Sequence, residues 1–206
     1  METYWSRFSD GFDEKQAYTT GIEVIEQVLD KLSKKRSLGA VLELGCGNGR
    51  YTRSIVLEAQ SIVATDYSAE MAAAAGRVLS ECKNVTVEQA DCHALQYPDA
   101  SFDTVLMANV IHVIDGPDAV IKEISRVLKP GGTMLLTCFT IEGMSFLNKL
   151  SLLYRYKKTF GAFPKHRTSF TSASLLALVE SAGFIVREVA VLGGKTRSIF
   201  LDAARG

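Results

Sequence analysis

The chain has no excess of either charge, since 23 Lys and Arg face 23 Asp and Glu. That balance excludes a general attraction for nucleic acid or an anionic membrane, while leaving room for a local basic patch. No apolar run approaches the roughly 20 residues of a membrane span. The first residues, Met1 to Trp5, lack the basic start and apolar core of a secretion signal, so a cytoplasmic chain is expected. Cysteine is scarce. Cys46, Cys82, Cys92 and Cys138 include no C-x-x-C pair. This argues against a zinc site and leaves free thiols in a reducing compartment. No metal is expected. What remains is an ordinary composition, 47% hydrophobic and 22% charged over 206 residues. That is enough for one globular domain, residues 1–206, with a sizeable core.

The chain is organised around residues 41–52, Val-Leu-Glu-Leu-Gly-Cys-Gly-Asn-Gly-Arg-Tyr-Thr. The apolar run Val41-Leu42-Glu43-Leu44 stops at Gly45, Gly47 and Gly49, and a helix-compatible stretch follows. A buried parallel strand turning sharply into a helix has this pattern. Glycines permit φ > 0 and let a ligand approach the backbone. The free N–H groups of the next helix then face whatever lies over the turn. A dinucleotide fingerprint would place its third glycine at residue 50, which is Arg50. The spacing is instead Gly-x-Gly-x-Gly, preceded by the acid Glu43.

Residues 1–38 read as an N-terminal arm and a helix. Tyr4, Trp5, Phe8, Phe12 and Tyr18 either pack on the domain or form a flap over a site, with Tyr18 nearest the ligand. Ile22, Ile25, Val28, Leu29 and Leu32 recur at helical spacing, and the cations Lys31 to Arg36 suit that helix's C-terminus. After the glycine turn, a helix over about 51–59 leads to a strand at 61–65 that ends at Asp66. An acid there can accept hydrogen bonds from both hydroxyls of a ribose. Its alternative is a helix N-cap with Ser68 and Glu70. Met71 either packs or covers a purine. A third strand, 85–89, runs into Asp91 and Cys92, where a carboxylate and a backbone N–H can read an adenine edge or simply form a turn. The fourth strand, 104–108, leads to Asn109 and His112. A helix from Pro117 stops at Lys129-Pro130-Gly131-Gly132, and a strand follows at 133–138. Last come a helix at 174–182 and strands at 184–192 and 198–203. Only residues 193–197 join those strands, too few for a parallel crossover, so they pair antiparallel.

The glycine turn, Asp66, Asp91, Pro98-Asp99-Ala100-Ser101-Phe102-Asp103 and Arg126-Val127-Leu128-Lys129-Pro130-Gly131-Gly132 come in the order and spacing of a known family. Over residues 40–138 the chain resembles the class I S-adenosylmethionine (SAM) methyltransferases of small molecules, the type 11-like group. The resemblance implies an α/β Rossmann-like methyltransferase fold. Its sheet has seven mostly parallel strands, with a C-terminal antiparallel hairpin and helices on both faces. SAM is the implied methyl donor and S-adenosylhomocysteine the product. Implied cofactor contacts are Glu43, Gly45, Gly47, Asp66, Asp91 and Cys92, joined by Cys46 and Gly49 in the turn. Tyr18, Tyr67, Met71 and Asn109 are the further candidates.

Residues 139–171 are too long for a plain connection. Their aromatics and cations suit a substrate-cover insertion, with Tyr154 and His166, together with Tyr4, touching substrate. They equally suit a solvated face, a dimer contact or a membrane surface. A sulfonium methyl is already activated, so the protein must chiefly align a nucleophile. His112 is the candidate base, given a pKa near neutrality, and a candidate substrate contact; packing is its alternative. Methyl transfer to a small molecule at O, N, S or C is the expected function. RNA or protein methylation, or a SAM-binding module without catalysis, are the alternatives. Nucleic acid is disfavoured as a partner, and a monomer or homodimer is expected.

Overall fold

The computed structural model describes residues 4–206; Met1 to Thr3 lie outside the described residues. Seven strands form one sheet in the order β3-β2-β1-β4-β5-β7-β6. They are β1 (Gly39–Leu44), β2 (Ala59–Asp66), β3 (Val85–Gln89), β4 (Phe102–Ala108), β5 (Leu128–Thr140), β6 (Phe184–Gly193) and β7 (Arg197–Arg205). β1 to β5 pair in parallel, whereas β7 runs antiparallel to both β5 and β6. The expected sheet, hairpin included, is the one present. Chain order reverses between β1 and β4, the crevice where open α/β sheets bind ligands.

Period-two alternation sends the strands' apolar side chains to two cores. Val41, Ile62, Leu106 and Leu135 pack with Val28 and Leu32 of α2 (Ile22–Ser33), Ile55 of α3 (Arg50–Ile55) and Ala75 of α4 (Ala69–Val78). Leu42, Val105, Met107 and Leu136 pack on the other face with Ile121 and Ile124 of α5 (Pro117–Val127) and Leu175 and Val179 of α7 (Ser172–Ser181). Strands covered on both faces explain the near-continuous apolar runs in the sequence.

Three of the departures from the sequence reading have a clear physical cause. A helix α1 (Phe12–Thr20) precedes α2. The break between them is Gly21, at φ 86°. α1 has no apolar periodicity, so no stripe announces it. α3 ends at Ile55, because the Asn84 side chain donates to the carbonyls of Val56 (2.9 Å) and Ala59 (3.0 Å) and holds the chain in a turn there. β5 begins at Leu128, ahead of the glycines, and the resulting register shift against β4 absorbs Lys129 to Gly132.

The remaining helix, α6 (Phe146–Phe160), lies in the 139–171 segment and packs on α1. Side chains of these two helices face the carboxyl ends of the central strands across a cavity.

Candidate functional site

The turn after β1 is left-handed at Gly45 (φ 71°), Gly47 (57°) and Gly49 (84°). A side chain at Gly45 would also collide with Val110, whose Cγ2 lies 2.3 Å from the added Cβ. The tips of β1 and β4 therefore approach closely only because residue 45 is glycine. The Gly47 N–H donates to Asp66 Oδ2 and the Ser68 N–H to Oδ1, each at 2.9 Å. Burial raises the Asp66 pKa against the pull of those two bonds. Ser68, not Asp66, caps α4, accepting from the Met71 N–H at 3.2 Å.

Glu43 is fully buried below the turn. Its Oε2 accepts from the Thr52 hydroxyl at 2.6 Å, while Oε1 has no partner. Burial pushes its pKa up to about 7; the Thr52 bond opposes this and the Asp66 charge adds to it.

Beyond β3, the His93 N–H and ring Nδ1 both lie 2.9 Å from Asp91 Oδ1, and His93 Nε2 lies 2.7 Å from the Asp115 carbonyl. Burial raises the Asp91 pKa, but the His93 bonds outweigh it and hold the carboxyl below its ordinary range. Donor atoms of Asp91, Cys92 and His93 lie within 4.8 Å of one another. Both His93 nitrogens have protein partners. Burial pushes the Cys92 thiol up to about 12. All four cysteines are free.

Beyond β4, Asn109 sits at φ 60°, a conformation asparagine tolerates better than most residues. Its Nδ2 donates to the Tyr51 hydroxyl at 2.9 Å, and its Oδ1 is buried without a partner. His112 lies edge-on to Phe139, with ring centroids 5.8 Å apart. Its Nδ1 is buried and unpartnered. Burial and the charge of Arg167 push its pKa down to about 4. This corrects the near-neutral value expected from sequence: the ring is uncharged at pH 7, but it is a weak base.

The cover is built from the N-terminal arm and the 139–171 segment. Trp5 and Phe8 meet Phe160 edge-on, with centroids 5.8 and 5.0 Å away. The Tyr4 hydroxyl donates to the Ala162 carbonyl at 2.5 Å, and Tyr156 stacks on Phe163 at 4.5 Å. Arg50 ties α1 to the glycine turn by donating to Gln16 (2.8 Å) and pairing with Asp13 (2.5 Å).

Strand tips and cover line one cavity of about 800 Å³. Gly45, Gly47, Asp66, Asp91, Asn109 and His112 line it from the strand tips. Cys46, Tyr67, Met71, Cys92 and His166 also reach it, the last with Nδ1 3.3 Å from Asp115. Tyr4, Tyr18, Glu43, Gly49 and Tyr154 do not line it. Tyr18 points outward, its ring centroid 5.7 Å from Lys158 Nζ. Gln16, Thr19 and Thr20 represent α1 in the cavity instead. Tyr4 seals the outer seam of the cover, and Tyr154 is exposed. Sequence reasoning missed Tyr51, His93 and Tyr156 as cavity residues. Tyr51 stands two residues after Gly49 and His93 directly follows the Asp91-Cys92 pair, which was the available signal.

Residues 42–136 match the family model described as a methyltransferase domain. That stretch is similar to a methyltransferase domain, and the fold as a whole is similar to that of SAM-dependent methyltransferases. The chain is 33% identical over 132 residues to a ubiquinone/menaquinone biosynthesis C-methyltransferase of Pseudomonas paraeruginosa. That match takes in 61% of the chain and 52% of the relative, so the chain spans about half the relative's length. Its fold is similar to that of a SAM-dependent methyltransferase from Thermotoga maritima (23% identity, TM-score 0.76, 98% of this chain and 99% of that one). A chain of the complex between the Haloferax volcanii Trm112 methyltransferase activator and a methyltransferase also superposes (18% identity, TM-score 0.78, 100% and 99% covered). Among the described residues, no helix is long and apolar enough to cross a membrane.

Proposed function

We propose that the chain is a SAM-dependent methyltransferase that holds SAM across the tips of β1 to β4 and methylates a small acceptor beneath the aromatic cover. The observation that carries the reading is that one continuous cavity joins the strand tips to the cover. It runs from the glycine turn and Asp66 to His112 and Tyr156. At about 800 Å³ it falls within the range for small-molecule and cofactor sites.

The residues present fit the donor. Each Asp66 oxygen accepts one backbone N–H and keeps lone pairs for a ribose hydroxyl. Asp91 is held ionised and can accept from an adenine amino group, beside the Cys92 N–H. Tyr67 and Met71 flank the same end of the cavity. The unpartnered Asn109 Oδ1 is an acceptor waiting for a donor, the role an ammonium group of the methionyl end would fill.

Bound SAM supplies a methyl group on a sulfonium, so no metal is needed to generate the electrophile. The chain's part is to place the nucleophile in line and keep water out, and such positioning can supply about 7–11 kcal/mol of the barrier. Uncharged His112, with Nδ1 free, orients the acceptor by a hydrogen bond and takes only an easily lost proton. Tyr156, Phe163 and Phe139 suit an apolar, planar acceptor body. The Pseudomonas relative is a C-methyltransferase of ubiquinone/menaquinone biosynthesis, which supports a small-molecule acceptor here.

The test is a screen of small planar acceptors with detection of S-adenosylhomocysteine. Product with at least one class is expected. Tight SAM binding without product across the whole screen would favour a non-catalytic module.

A further inference from the structure

α6 covers the cavity with one face and presents a second apolar face to solvent. Phe146, Leu147, Leu150, Leu153 and Tyr154 follow the i, i+1, i+4, i+7, i+8 spacing of one helical stripe. All five are exposed, Phe146 at 72%, Leu147 at 75% and Tyr154 at 65%. Scattered exposed apolar residues need no explanation, but a contiguous stripe along a four-turn helix does. Only Phe160 of this helix is buried.

The charge around the stripe is one-sided. Between Gly143 and Val179 there are six Lys or Arg residues and no Asp or Glu, in a chain whose net charge is zero. Lys149, Arg155, Lys157 and Lys158 lie on α6 itself, and Lys165 and Arg167 follow it. An exposed apolar stripe with a cationic border on a single helix is the pattern of a segment lying in a membrane interface. A nucleic-acid surface would explain the cations and leave the apolar stripe unexplained. A second copy of the chain would explain the stripe, but two such faces would bring their cations together.

We infer that α6 docks the protein on an anionic phospholipid surface, with Phe146, Leu147, Leu150 and Tyr154 entering the interface and Lys157 and Lys158 meeting the headgroups. Leu153 belongs both to this stripe and to the cavity wall, where Leu152 and Tyr156 are its neighbours. Docking therefore places the cavity roof at the bilayer, next to any acceptor dissolved in it.

The experiment is flotation of the full chain with vesicles of phosphatidylcholine alone, or of phosphatidylcholine and phosphatidylglycerol in equal parts. Binding to the anionic vesicles only, weakened by added salt, is expected. Each cation near such a surface is worth roughly fivefold in partitioning, so Lys157→Glu with Lys158→Glu should lower it roughly 25-fold or more. Phe146→Ser with Leu147→Ser should also abolish flotation. Both residues are exposed, so the thermal midpoint and SAM affinity should hold, which separates this inference from the proposed reaction. No flotation at low salt, or flotation indifferent to both double variants, would overturn it. A dimer in size-exclusion chromatography that the Phe146/Leu147 variant dissolves would overturn it in favour of a second copy.

Discussion

The two halves of the cavity are made differently. The strand-tip half is built from backbone and short polar side chains: the glycine turn, Asp66 with its two N–H donors, and Asp91 with His93. The cover half is built from large side chains that meet across more than 150 residues of sequence, as Tyr4 does with Ala162. The first is fixed by strands covered on both faces and is preorganised. The second is held by ring contacts, the Tyr4 hydroxyl, the Arg155 bond to the Tyr18 carbonyl and the Arg50 tether. A rigid floor that binds cofactor under a separable roof that selects the acceptor is the arrangement this contrast supports.

The largest effect belongs to the floor's foundation. The folded pKa of Glu43, about 7, lies above its ordinary 4.5, so the folded state holds this proton more tightly than the unfolded chain. Stability is unaffected below about pH 4.5, falls as pH rises towards 7, and stays low above that; the loss is about 3 kcal/mol. Glu43→Gln should remove that slope and stabilise the protein at pH 8. Denaturant melts at pH 5 and pH 8 check this, and an unchanged slope would place the charge elsewhere. Next is the floor itself. Asp66→Ala should weaken SAM binding roughly 30-fold, about 2 kcal/mol, by removing charged hydrogen-bond acceptors; calorimetry reads it, and an unaltered Kd would remove the ribose assignment. On the roof, Trp5→Ala removes edge-on contacts worth about 0.5–1.5 kcal/mol each. It should raise the acceptor KM several-fold while shifting the SAM Kd less than about threefold. Equal losses in both would mean that floor and roof act as one body. The smallest effect is at His112, where His112→Gln keeps a hydrogen-bonding group. If orientation is its task, kcat should fall only a few-fold, and the wild-type profile should show no His112 limb between pH 5 and 8, because the ring titrates near 4. A limb near 6.5 that vanishes in the variant would restore it as a general base.

The floor was legible in sequence because its chemistry is local. Gly45, Gly47 and Gly49 announce a turn, and Asp66 and Asp91 stand at or just past strand ends that periodicity already marks. The sheet followed for the same reason, down to the hairpin forced by a short connection. The roof was not legible, because nothing near Tyr4 in sequence says that it meets Ala162, and α1 carries no apolar stripe to reveal which side faces inward. Tyr18 stands just before the first clearly amphipathic helix, a position that suggests a lid contact. The structure puts it on the outer face of α1, where Arg155 donates to its carbonyl at 3.1 Å. The place of Glu43 in the motif points it at the ligand, yet a strand's alternation turns it into the core beneath the turn. The pKa of His112 depends on burial and on Arg167, neither of which one residue's neighbours in sequence disclose.

The most direct measurement is hydrogen exchange of the protein with and without S-adenosylhomocysteine. Protection should concentrate in residues 45–52, 66–71 and 90–93, with smaller changes in 146–160. Absence of any protection, or protection confined to the cover, would contradict a cofactor bound at the strand tips.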